Sequence, residues 1–143
     1  MSSYRYHADE FAISIPAAFV DKSVTLLEWP LEDGPVAVVV RRKKIAEDGE
    51  FARTVEAYFR ELKAKLQSFR EEAPISFECS SPYAALACRY REEQHVLYQI
   101  HVAINLGTTM LFFIWNGQAA QKSAVEELAR SVMSSFLYRE ADG

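Results

Sequence analysis

VLYQIHV, residues 96–102, is the stretch on which the reading of this chain turns. Val96, Tyr98, Ile100 and Val102 give one uniformly apolar strand face. Leu97, Gln99 and His101, continuing to Ala103, give a second face that is oily but tipped with polar groups. Successive side chains of a strand point to opposite faces, so this strand has no plainly solvated side. Either both faces are covered, or one of them meets a partner.

Working outward, further strand-like segments surround it, FAISI alternating in period two and VAVVVRR nearly continuously apolar. Residues 4–7 (YRYH), 11–15 (FAISI), 24–29 (VTLLEW), 36–42 (VAVVVRR), 75–79 (ISFEC), 83–91, 95–104 and 108–115 read as strands. Pro16 ends the second of them, PAAFVDKS (16–23) turns the chain, and Pro30 with EDGP (32–35) marks the next turn. Glu92 and Glu93 supply a polar turn, and NLG (105–107) suits a short hairpin loop with Gly107 in the left-handed conformation.

Two segments change period. Phe51, Val55, Tyr58, Phe59, Leu62, Leu66 and Phe69 recur at three- and four-residue steps, which predicts an amphipathic helix of about five turns from Asp48, stopped by Pro74. A second helix is predicted over residues 119–137, with Ser123 and Glu126 as a capping box and Val125, Leu128, Ala129, Val132 and Phe136 as its buried stripe. The order strands, helix, antiparallel meander, helix predicts an α+β fold, a twisted antiparallel sheet of about six or seven strands with two main helices packed on it. Two helices do not easily cover both faces of so many strands, so part of an apolar face is expected to stay open. Open apolar patches beyond a few hundred Å² mark binding sites.

The 143 residues fit one domain, 1–143. The net charge of −4 argues against nucleic acid as the main partner, because phosphate backbones require a basic surface. The one basic run, Arg41-Arg42-Lys43-Lys44, is followed closely by Glu47, Asp48 and Glu50 and reads as a solvated strand end. The first residues, MSSYRYHADEF, lack a basic segment followed by an apolar one, and the oiliest window, 95–115, carries Gln99, His101, Asn105 and Gly107 and reads as two strands. A cytoplasmic location is expected, in which Cys79 and Cys88 stay as free thiols. His7, His95 and His101 are scattered, and no nucleophile elbow, zinc-protease, phosphate-loop or dinucleotide pattern occurs. The chain therefore reads as a binding protein, with no cofactor or metal and not as an enzyme.

One further pattern spans nearly the whole chain. A short N-terminal strand precedes FAISIPAAFVDKSVTLLEW (11–29), and VVVRR (38–42), the helix ending LKAKLQSF (62–69) and LYQIHV (97–102) follow in order. In this order and spacing the chain resembles the DcrB-like family with its PsbP-like α/β/α sandwich, and within it is similar to the Eag-type chaperones of type VI secretion. That resemblance implies a cytoplasmic homodimer of a Gram-negative bacterium. Such a dimer holds the N-terminal transmembrane segment of a PAAR-containing effector, often an Rhs toxin, until it is loaded onto the VgrG spike. It implies no nucleic-acid partner and no direct membrane insertion. By position it places Val24, Leu26, Val39 and Gln99 in a client-binding groove, with Leu97 and His101 flanking Gln99. Tyr58 and Leu62 fall where the family adds contacts from its first helix, although Tyr58 stands where an amide side chain is expected. A glutamine suits such a groove, because its amide both donates and accepts and membrane helices often meet a polar neighbour. The alternative is a binding module for a soluble protein or a small apolar ligand.

Overall fold

The computed structural model describes residues 3–7, 12–16, 24–45 and 48–136; the predicted turn over 17–23 and the last residue of the second predicted helix lie outside them. In chain order the elements are β1 (Ser3–His7), β2 (Ala12–Pro16), β3 (Val24–Trp29), β4 (Val36–Lys44), α1 (Asp48–Lys65), β5 (Arg70–Glu71), β6 (Tyr83–Glu92), β7 (His95–Asn105), β8 (Thr109–Gln118), a 3-10 turn (Ala119–Gln121) and α2 (Lys122–Ser134). β1 and β2 pair with each other, and the remaining six strands form one antiparallel sheet in the order β3-β4-β8-β7-β6-β5. The fold is α+β, as the pattern of periods predicts.

β7 lies inside this sheet, and both of its faces are covered. Tyr98, Ile100, Val102 and Ile104 pack with Val36, Val38 and Trp115 against Val125, Ala129 and Met133 of α2. Ala103, on the other face, joins Met110, Phe112 and Ile45 against Val55, Phe51, Tyr58 and Phe59 of α1. One helix therefore sits on each side of the sheet, which is why the strand alternates apolar groups on both sides. Gly117 lets β8 and α2 approach: a Cβ built there would stand 2.8 Å from Val125 Cγ2.

The tight turns follow the sequence. Gly107 has φ +94° and its N–H is accepted by Asn105 Oδ1 at 2.9 Å, while Glu93 takes φ 55° in the two-residue turn between β6 and β7.

Four local expectations are corrected. The first helix ends at Lys65 and does not run to Phe69; its last main-chain bond joins Leu66 N–H to Leu62, and Ser68 then adopts the left-handed φ of 57°. Residues 75–79 form no ladder, although Ile75, Phe77 and Cys79 still alternate toward the core. A single side chain replaces the missing partner strand, because the Tyr83 hydroxyl accepts from Phe77 N–H at 2.6 Å and donates to Phe77 O at 3.0 Å. Val132 of the predicted buried stripe is exposed, whereas Met133 takes its place in the core. Finally, Ser123 and Glu126 do not cap α2. Gln121 stands at its N-cap, nearly buried, accepting from Gln118 N–H at 3.0 Å and donating to Gly34 O at 2.8 Å. Glu126 instead accepts the Tyr98 hydroxyl proton at 2.9 Å.

Candidate functional site

Strand register places the sequence-predicted site residues. Leu26, Val39, Ile114, His101 and Leu86 are successive partners across β3, β4, β8, β7 and β6, so their side chains share one face. Val24, Arg41, Phe112, Ala103 and Ala84 form the row on one side of it, and Glu28, Ala37, Asn116, Gln99 and Cys88 the row on the other. Leu97 follows on the same face, opposite Tyr90. Val24, Leu26, Val39, Leu97, Gln99 and His101 thus all lie on the side that carries α1, and Tyr58 reaches the same face from the helix. Leu62, one turn beyond Tyr58, is half-buried.

Cover is uneven along these rows. Val24 and Leu26 are 53% and 59% exposed on the edge strand, Val39 and Ile114 are half-buried, and His101 and Leu86 are buried. The other side of β3 is open as well, with Leu27 and Trp29 at 58% and 56%. The face under α1 is therefore closed toward β7 and β6 and open toward β3 and β4.

At the boundary runs a chain of polar side chains. Gln99 Oε1 lies 2.8 Å from His101 Nε2, and His101 Nδ1 lies 2.8 Å from the Tyr58 hydroxyl. A carboxamide oxygen only accepts, so Nε2 carries the imidazole proton and Nδ1 accepts from Tyr58. The Gln99 NH2 donates in turn to the Tyr90 hydroxyl at 3.2 Å. Burial, with only 2% of the residue exposed, pulls the His101 pKa down to about 4, so the ring is neutral at pH 7. The same cause pushes the Tyr58 hydroxyl up to about 12. His101 is thus a buried support with both nitrogens engaged, not exposed groove lining as its place in the sequence suggests. Half-buried Gln99 keeps one N–H and one oxygen lone pair beyond these two bonds.

Ile114, Asn116 and Tyr90 complete the face and were not singled out from sequence. Asn116 is the register partner of Gln99, and its buried Oδ1 has no hydrogen-bond partner among the described residues. The signal for these residues was present: the NLG and Glu93 turns set the registers of β7 with β8 and β6, which places Ile114 opposite His101, Asn116 opposite Gln99 and Tyr90 opposite Leu97. Among the described residues, no three His, Cys, Asp or Glu side chains converge as a metal site would require. No helix among them is long and apolar enough to cross a membrane.

The DcrB family profile matches residues 10–135, which takes in the open edge, both helices and the polar chain. The chain belongs to the DcrB family. Two solved structures share the fold. PA94 from Pseudomonas aeruginosa, a protein of unknown function, superposes with a TM-score of 0.80 at 18% identity, over 97% of this chain and 99% of that one. LpqN from Mycobacterium tuberculosis, involved in cell envelope biogenesis, gives 0.59 at 11% identity, over 94% and 88%. No curated protein matches this DcrB-family chain.

Proposed function

We propose that this DcrB-family protein is a non-catalytic chaperone that shields an apolar helix on the α1 side of its sheet. The observation that carries the reading is the exposure gradient on that side: open Val24 and Leu26 run into half-covered Val39 and Ile114, beside the amides of Gln99 and Asn116. A transmembrane helix satisfies its own backbone bonds but presents about twenty apolar side chains to water. It needs an apolar surface of this kind, and an amide at the rim offers a hydrogen bond to any small polar residue it carries. The resemblance to Eag-type chaperones supplies the client class, the N-terminal transmembrane segment of a PAAR-containing effector, loaded onto VgrG from the cytoplasm by a homodimer.

The test is detergent-free co-expression of the full chain with such a segment, comparing wild type with Val24→Asp/Leu26→Asp. Both positions are exposed, so the variant should fold normally. Co-purification of soluble segment with wild type and its loss from the folded variant supports the reading. Equal retention by the variant, or aggregation of the segment with wild type, sinks it. Retention of a soluble protein instead would favour the alternative of a binding module for soluble partners.

A further inference from the structure

At the sheet edge opposite β3, where β5 contributes only Arg70 and Glu71, lies an open concavity of about 350 Å³. Ser68, Arg70, Arg89, Tyr90, Arg91 and Val96 line it. Arg70 and Arg89 stand directly opposite each other in the ladder, and Arg91, two residues along β6, shares their face. Like charges in that relation destabilise a strand pair. Glu72 pairs with Arg89, but Arg70 and Arg91 make no ion pair among the described residues. Two uncompensated guanidinium groups thus share one hollow in a chain whose net charge is −4.

We propose that this hollow binds a phosphomonoester dianion. Two free guanidinium charges match its two negative charges, and the planar fork of arginine suits the tetrahedral oxygens bidentately. The Ser68 hydroxyl, at the lip of the hollow, makes no hydrogen bond within the described residues. The volume lies at the lower end of the range for small-molecule pockets, leaving room for the group that bears the phosphate beside the half-open Val96.

The full chain is titrated at low ionic strength with glycerol 3-phosphate by calorimetry, and separately with phosphatidylcholine vesicles containing phosphatidic acid. Arg70→Gln/Arg91→Gln is compared with Arg41→Gln/Arg42→Gln from the other basic cluster. The expected result is saturable binding to wild type and to the Arg41/Arg42 variant, and a loss on the order of tenfold or more in the Arg70/Arg91 variant. Relief of the Arg70–Arg89 opposition should leave that variant's melting temperature no lower than wild type, which separates loss of a site from loss of the fold. Saturation by the soluble ester assigns a free ligand, and binding to vesicles alone assigns a lipid headgroup. Absence of saturable binding to either probe, or equal weakening in both variants, overturns the proposal. So does a poly-glutamate peptide that displaces glycerol 3-phosphate as well as phosphate itself does, since an acidic protein segment would then be the ligand.

Discussion

The Tyr58 hydroxyl donates to His101 Nδ1 across 2.8 Å, joining the middle of α1 to the middle of β7 over 43 positions of chain. The rings also stack obliquely, with centroids 5.6 Å apart, and Tyr58 leans on Phe112 at 4.7 Å. Tyr58→Phe keeps the ring contacts and removes only the hydroxyl, leaving a buried imidazole nitrogen unpaired. A stability loss of about 1–3 kcal/mol is expected, read as a lower urea midpoint with an unchanged slope.

His101 should make the protein acid-sensitive. In the unfolded chain its pKa is the ordinary 6.5, whereas in the folded protein it is about 4. Between these values the unfolded state binds the extra proton, so stability is highest above pH 6.5 and falls as the pH drops toward 4. The full loss from this one group is about 3 kcal/mol at 1.36 kcal/mol per pH unit. Urea melts between pH 7 and pH 5 should show the early part of this fall, and His101→Gln should flatten it. A His101 ring signal in NMR that titrates near pH 6.5 in the folded protein would refute the assignment.

Gly117→Ala tests the contact between β8 and α2. Its methyl would stand 2.8 Å from Val125 Cγ2 and 3.3 Å from Gln121 Oε1. Overpacking of a close-packed core costs about 1–3 kcal/mol. Because the nearest atom belongs to Val125, the double variant Gly117→Ala/Val125→Ala should recover part of the loss measured against Val125→Ala alone. A double-mutant cycle by thermal unfolding reads this coupling.

The two cysteines should differ in reactivity. Cys79 is half-buried on the segment tethered by Tyr83, whereas Cys88 is fully buried and its thiol is pushed up to about 12, first by burial and then by Glu71 and Glu72. The thiolate is the reactive form. Native protein treated with an aromatic disulfide reagent should therefore release one equivalent quickly, from Cys79. The second should appear only at the rate of unfolding, and Cys88→Ser should abolish that slow phase.

Periodicity alone identified α1, α2 and β3, β4, β6, β7 and β8, because alternation at two or at 3.6 residues records which side of an element meets apolar neighbours. The turns at Gly107 and Glu93 were equally legible, and they set the registers of β7 with β8 and β6. Residues 75–79 show the limit of such reading: they alternate like a strand, yet Tyr83 holds their backbone where a partner strand would. Alternation reports side-chain environment and does not reveal whether a ladder forms.

The sequence by itself determined that β7 would be apolar on both faces, with Gln99 and His101 on the second. Only the tertiary structure decided that His101 lies buried beneath Tyr58 while Gln99 stays half-open. Only the tertiary structure, too, put β3 at the edge, with Leu26 and Trp29 bare. The physical reason is that burial of a strand face depends on which long connection lays a helix over it. The pairing of β4 with β8 and the seating of α1 on β7 and β8 join residues far apart in the chain. No local pattern encodes where such a crossing stops, and here it stops short of β3.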